Sequence, residues 1–408
     1  MKSFRMMMGA TAAMALCGGL FGLAQAQQAP GGTANYWVSA DTSSGMAGMA
    51  SAASAGGVLA ALSGRNQESY VHNLQLQLGS PRKPAGEANA EHLPPAGLRA
   101  GPSLPLMTPR VERGTHEGPW PANMEKPKGR MLIYWGCGDR ARPNQPVVID
   151  FAALTSGKVP PAFANANIRT MSPPSSSTST TYGEWPNQKS ETRVPANGSL
   201  VGEHVVRGNY TPEIRFTIAP GQDYLDPVRL TSNSAAASGA VPVTWSPVTG
   251  ARAWFASTMG SGQNGDFVMW SSSEAQMAAM MMDYLPEAEI ARLVQQKVLL
   301  PATADRCTVP AEVAAAAPQS MLSVIAFGNI SDFSHPVRPA KAPASWRPDW
   351  TVKVRTKSTY MGMLGMDMEA MMRGDDRRSE SNSPEEAQPR RKKASPLRRG
   401  LGKLLGED

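Results

Sequence analysis

The chain is short of the patterns that announce catalysis. It has no phosphate-binding glycine loop, no nucleophile elbow, no paired-histidine metal motif and no EF-hand loop. Nothing in it therefore favours nucleotide transfer, zinc hydrolysis or calcium sensing. Histidine is scarce, with five residues at 72, 92, 116, 204 and 335, none at helical ligand spacing. His204 follows Glu203 on an expected strand, so the two side chains point to opposite faces. Cysteine is scarcer still, at positions 17, 137 and 307.

Long apolar runs are also lacking after the first 26 residues. The one before that point is informative. Lys2 and Arg5 precede an uncharged stretch from Met6 to Leu23, and Ala24-Gln25-Ala26 supplies small residues at −3 and −1. This is the layout of a secretory signal peptide, and it predicts export and a mature chain from Gln27. An uncleaved anchor is the alternative, since the run is about long enough to span a membrane. Cys17 is a poor lipoprotein site because bulky Leu16 precedes it. Cys137 and Cys307 then remain in an oxidising compartment, where an isolated pair is expected to form one disulfide. Two separate buried thiols are the alternative.

Charge of neither sign dominates. The net charge is +7, and removal of Lys2 and Arg5 leaves +5. That surplus is local, and it provides no global field for nucleic acid. The 38 Gly and 35 Pro are spread along the chain. Such spacing disfavours long helices and favours short strands joined by turns.

Residues 27–66 are rich in Ala, Gly and Ser and are expected to be flexible, with a short strand at Asn35–Val38. From Tyr70 to Leu78, apolar and polar residues alternate, which predicts a half-buried strand. Met131–Trp135 and Val147–Phe151 are expected strands, and Leu200–Val206 with Glu213–Ile218 an expected hairpin. Further strands are expected at Val228–Thr231, Val241–Trp245, Ala253–Thr258, Phe267–Trp270, Leu322–Phe327 and Trp350–Thr356. On the last, Lys353, Arg355 and Lys357 are expected to face water. Asn264-Gly265 is a strong hairpin signal. An Ala- and Met-rich helix is expected across Ser273–Tyr284, and a second to begin at Pro286, with Glu287 and Glu289 in its first turn and Ile290, Leu293, Val294 and Val298 on one face.

Two segments invite chemistry. Met361, Met363, Met366, Met368, Met371 and Met372 fall within twelve residues. Thioethers are soft ligands that suit Cu(I), and they survive where thiols oxidise. The same run also suits adaptable packing. Near the end, Arg390, Arg391, Lys392, Lys393, Arg398, Arg399 and Lys403 form an acid-free block of +7 mixed with leucines. That block is expected to be a solvated tail, with contact to an anionic membrane surface as the functional alternative.

Residues 243–254 read Val-Thr-Trp-Ser-Pro-Val-Thr-Gly-Ala-Arg-Ala-Trp. This stretch, within 241–275, resembles the B-to-C region of fibronectin type III and related immunoglobulin-like sandwiches. The resemblance implies a fold and no ligand, because that architecture hosts many functions. Met131–Gly138 and Ser199–His204 resemble segments of uncharacterised secreted proteobacterial proteins, which implies the periplasm or surface of a Gram-negative cell.

The expectation is a mainly β chain with two sandwich-like units, at 67–211 and 212–360, a short helical insertion and disordered termini, with 361–408 comprising the Met-rich segment and a basic tail disordered from Gly374 onward. The expected function is a non-enzymatic binding or structural role in the cell envelope, with an envelope protein or polymer as partner. The alternatives are a Cu(I)-binding protein using residues 361–372, and an unrecognised hydrolase.

Overall fold

The computed structural model describes residues 32–46, 70–109, 129–151, 168–190, 192–262, 265–276 and 283–366. The expected signal segment, Met368, Met371, Met372 and the basic block 390–403 lie outside them. In chain order the strands begin with β1 (Ala34–Gly45), β2 (Tyr70–Ser80), β3 (Ala90–Leu93) and β4 (Leu104–Leu106). They continue with β5 (Arg130–Trp135), β6 (Val147–Asp150), β7 (Thr181–Trp185), β8 (Gly202–Gly208) and β9 (Ile214–Ile218). Next come β10 (Leu230–Asn233), β11 (Val241–Trp245), β12 (Ala253–Ser261), β13 (Phe267–Ser271) and helix α1 (Glu287–Gln295). The remainder are β14 (Leu300–Pro301), β15 (Arg306–Val309), helix α2 (Ala311–Ala316), β16 (Met321–His335) and β17 (Trp350–Met363).

The fold is mainly β and sandwich-like. A ten-stranded sheet runs β6-β5-β13-β12-β16-β17-β1-β2-β7, with β14 added beside β12. Two smaller sheets, β4-β3-β8-β9 and β10-β11-β15, complete the architecture. Even-numbered residues of β17 all point to one face: Val352 and Val354 join one core, Tyr360 the other. Both small sheets therefore pack on the same side of the large one. The first core lies under β3, β8 and β9 and includes Tyr36, Leu76, Leu78, Val206 and Ile214. The second lies under β11 and β15 and includes Trp245, Trp254, Trp270, Val309 and Val324. Its three indoles are satisfied: Trp245, Trp254 and Trp270 donate to the carbonyls of Ala304, Ala302 and Gly136 at 3.0, 3.2 and 2.9 Å. A buried indole without such a partner would forfeit much of its packing gain.

In the second sandwich, β10-β11-β15 faces β13-β12-β16-β17. Lettered from β10, this places A, B and E in one sheet and C, F and G in the other, the order of immunoglobulin-like sandwiches. The strands expected across 241–271 are all present, and so is the helix after Pro286.

Three expectations need correction. First, the chain does not divide at residue 211. β2, β5, β6 and β7 from before that point share one sheet with β12, β13, β16 and β17 from after it. Second, the stretch expected to be flexible beyond a short strand at Asn35–Val38 contains β1, a twelve-residue interior strand of the large sheet, third from its β7 edge. It runs parallel to β17 and antiparallel to β2. Its small residues hid it: Ala34, Ala40 and Ser44 are buried, yet they carry little hydrophobic signal. Third, Arg355, the centre of the basic row on β17, does not face water, whereas Lys353 and Lys357 on either side are half-buried. Arg355 is 5% exposed. Strand pairing between distant segments decides the first two, and the segment carrying Asp283 and Tyr284 decides the third; local alternation reports neither.

One device lets the long strand β16 serve both cores. Its register to β17 shifts between Phe327 and Ile330. Before the shift, Leu322, Val324 and Ala326 face the second core; after it, Phe333 faces the first. The bulge thus switches the inward parity from even to odd residues. Gly328 sits there because a Cβ would lie 2.3 Å from Thr356 Oγ1 and 2.7 Å from Thr356 O.

Candidate functional site

The expected disulfide is formed. Cys137 and Cys307 are joined with Cα atoms 5.2 Å apart. Cys137 follows β5 and Cys307 lies on β15, so the bond ties the large sheet to the three-stranded sheet. Hydrogen bonds fix the Cys137 turn on both sides: Gly136 N–H donates to Ser271 O at 2.9 Å, and Gly138 N–H to Thr308 O at 3.0 Å.

Two histidines that are 112 residues apart meet in the first core. Tyr36 on β1, His92 on β3 and His204 on β8 form a chain of hydrogen bonds. Its proton order follows from one end. The Leu200 carbonyl only accepts, so His204 donates to it from Nε2, at 2.7 Å. His204 Nδ1 then accepts from His92 Nε2 at 3.0 Å. His92 Nδ1 accepts from the Tyr36 hydroxyl at 2.7 Å. Each proton has one place, and both rings are neutral. Burial pushes the His92 imidazole well below its ordinary value, and His204 beside it adds to the shift. Burial also lowers His204, despite the opposing pull of the Leu200 carbonyl and Asp223. Burial raises the Tyr36 phenol. All three side chains are fully buried. The relay joins the large sheet to the four-stranded sheet and offers no approach to a substrate. Glu203, beside His204, is exposed and pairs with Arg215 at 2.6 Å.

On the opposite face of the large sheet, two carboxylates and two cations form a closed cluster. Arg355 Nη1 lies 3.1 Å from Asp41 and 3.2 Å from Asp283, and Lys357 Nζ lies 2.7 Å from Asp283 and 3.4 Å from Asp41. Arg355 also donates a long hydrogen bond from Nη2 to Asp41 Oδ2 at 3.4 Å, while Asp41 Oδ1 and Arg355 Nε have no hydrogen-bond partner. Tyr284 covers the guanidinium, with its ring centre 4.6 Å away, and Trp37 meets Tyr284 edge-on. Burial works to raise the Asp283 carboxyl, but Arg355 and Lys357 outweigh it and hold it below its ordinary range. Charge is balanced within the cluster, so it calls for no ionic ligand.

A cleft of about 760 Å³ opens where β4 meets β7. Met107 and Glu184 exchange two backbone hydrogen bonds there, at 3.1 and 2.9 Å, and close the corner between the two sheets. Asn187 Nδ2 braces it by donating to the carbonyls of Pro105 and Glu184 at 2.9 and 3.0 Å. Asn89, Met107, Glu184, Asn187, Gln188 and Lys189 are among the lining residues. The volume lies within the range of about 300–1,000 Å³ that ligand sites occupy.

Of the six methionines of the sequence run, Met361 and Met363 lie on β17 and Met366 just after it. Asn233 holds this end: its Nδ2 donates to Met363 O and Met366 O at 2.8 and 2.9 Å, and its Oδ1 accepts from Gly365 N at 2.9 Å. Among the described residues, no group of three or more His, Cys, Asp or Glu side chains is placed to hold a metal ion. Sequence reasoning missed the relay, the ion cluster and the cleft. The relay had one local signal, since His204 shares strand parity with the buried Val206. The other two had none, because their residues come from distant strands and loops.

No family model matches the chain, and neither the curated proteins nor the solved structures show a match to it.

Proposed function

We propose that this is an exported cell-envelope protein that acts as a non-enzymatic binding module, and that the cleft between β4 and β7 takes an extended polypeptide segment of a partner. The cleft carries the reading. Its wall combines side-chain amides at Asn89 and Gln188 with apolar surface at Pro105 and Met107, and it includes the charged groups of Lys189 and Glu184. That mixture matches a peptide backbone with small apolar side chains. Among the described residues, the lining includes no aromatic ring on which a sugar would stack. Support for export comes from the N-terminal pattern and from a disulfide that closes across 170 residues of sequence. The periplasm or cell surface of a Gram-negative bacterium is the proposed location.

The test places a photo-crosslinking amino acid at Gln188, inside the cleft, and separately at Val337, which is 79% exposed and outside it. Both chains are irradiated in cells that make the protein natively. The expected result is a discrete polypeptide adduct from Gln188 alone, lost when Asn89→Trp fills the cleft. A synthetic peptide of the captured segment then binds the purified protein and not the Asn89→Trp variant. Equal adducts from both positions, or none from Gln188, overturn the proposal.

A further inference from the structure

The methionine run of the sequence is not the methionine arrangement that the fold builds. Met363 on β17 lies opposite Met321 on β16, Met321 lies opposite Met259 on β12, and Met259 lies opposite Met269 on β13. Four consecutive strands thus place a methionine at the same level. Register partners share a face, and here it is the outer face. The inner positions beside them, Leu322, Tyr360, Leu364, Val268 and Trp270, belong to the second core, whereas Met269 belongs to a cluster on the other side. Met269 is 1% exposed and closes one end of the row, whereas Met259 is 42% exposed and Met321 and Met363 are half-buried. The three accessible members are adjacent.

We infer that Met259, Met321 and Met363 form a three-thioether site for Cu(I). The geometry suits it. Neighbouring strands are about 4.8 Å apart. A metal–sulfur bond of about 2.3 Å, as in zinc thiolates, puts two sulfurs around a trigonal ion roughly 4 Å apart. Met321 lies between the other two, which start about 9.6 Å apart across two strand spacings, so Met259 and Met363 each lean roughly 2.8 Å toward it, within the reach of an unbranched side chain. Three neutral thioethers on a soft monovalent ion select against Zn, Mg and Ca, which prefer harder donors. The site is also preorganised: Met363 is fixed by Asn233 through its own carbonyl, and the other two ligands sit within paired strands. Cys137 and Cys307 do not compete, because they are bonded to each other, and every chain tested carries Cys17→Ser. The set differs from the sequence run, of which it uses Met363 alone. It is independent of the cleft and stands or falls without it.

The test is Cu(I) titration of the purified full-length chain under ascorbate against a chromophoric Cu(I) chelator. Two variants are compared. Met259→Leu with Met321→Leu and Met363→Leu removes the row. Met366→Leu with Met368→Leu, Met371→Leu and Met372→Leu removes the rest of the run. Leucine keeps side-chain volume, so both variants are expected to fold. The parent is expected to hold one Cu(I) with a sulfur-only shell by X-ray absorption. The row variant is expected to lose it, and the run variant to keep it within about tenfold. In the parent chain, Ag(I) is expected to shift the methyl resonances of Met259, Met321 and Met363, which tests the site even if the row variant does not fold. Parent-like binding by the row variant, loss confined to the run variant, or no binding by the parent overturns the inference.

Discussion

Acidification from pH 6.5 to 5.0 is the perturbation that most directly tests the buried relay. His92 and His204 are neutral in the fold because each proton is already committed and burial disfavours a charge. Their folded pKa values lie below the unfolded value of about 6.5. The unfolded chain therefore takes up protons first as pH falls. The stability that the relay contributes is complete above the unfolded pKa and drains away below it. Each histidine that stays neutral contributes a slope of about 1.4 kcal/mol per pH unit. His92 alone then costs about 2 kcal/mol by pH 5.0, and the pair up to about 4. With a urea dependence of about 3 kcal/mol/M, the unfolding midpoint falls by roughly 0.7–1.3 M. Carboxylates do not confuse the window. Glu289, held at about 2 by the Arg292 guanidinium, and Asp283 lose their contributions only at lower pH. The control is His92→Phe with His204→Phe. It is less stable at neutral pH, because the Tyr36 hydroxyl and Leu200 carbonyl lose partners, but its midpoint changes less between pH 6.5 and 5.0. His72, lowered by burial against Tyr224, leaves a smaller residual slope in both chains. Equal pH dependence in the two chains refutes the reasoning, as does an Nδ1–H tautomer for His204 by nitrogen NMR.

Cys137→Ser with Cys307→Ser opens a closure of 170 residues and is expected to lower stability by about 2–5 kcal/mol in chemical denaturation, the chain-entropy ceiling being about 5. Arg355→Met leaves Asp41 without its closest cation and removes the group that Tyr284 covers; a loss of about 2–4 kcal/mol is expected, and restoration by Arg355→Lys should be incomplete because an ammonium lacks the planar face on which Tyr284 lies. Gly328→Ala drives a methyl into Thr356 at the β16 bulge and is expected to cost about 1–3 kcal/mol, read as a lower thermal midpoint.

Much of the strand content was legible. The alternation from Tyr70 to Leu78 becomes β2, and the apolar run Met131–Trp135 becomes β5. Residues 200–218 form the expected hairpin, β8 against β9. These succeed because burial of one or both strand faces writes a local pattern. β1 was only partly legible, because many of its buried positions carry small side chains between β17 and β2. Arg355 was misplaced for another reason. A cation on an alternating strand reads as solvent-facing, and only the segment carrying Asp283 and Tyr284 covers it.

The sequence by itself determined the mainly β class, the parity of most strands, the start of α1, and the pairing of the last two cysteines once an oxidising compartment was assumed. Parity states which side of a sheet a residue faces, and it is a property of a few consecutive residues. The tertiary structure alone decided which strands are neighbours. That choice put β1 against β17, merged the two expected units through one sheet, brought His92 to His204, and lined up Met259, Met321 and Met363. Each of these depends on the register between segments far apart in the chain. Register is set by the summed packing of whole faces, which no local window contains.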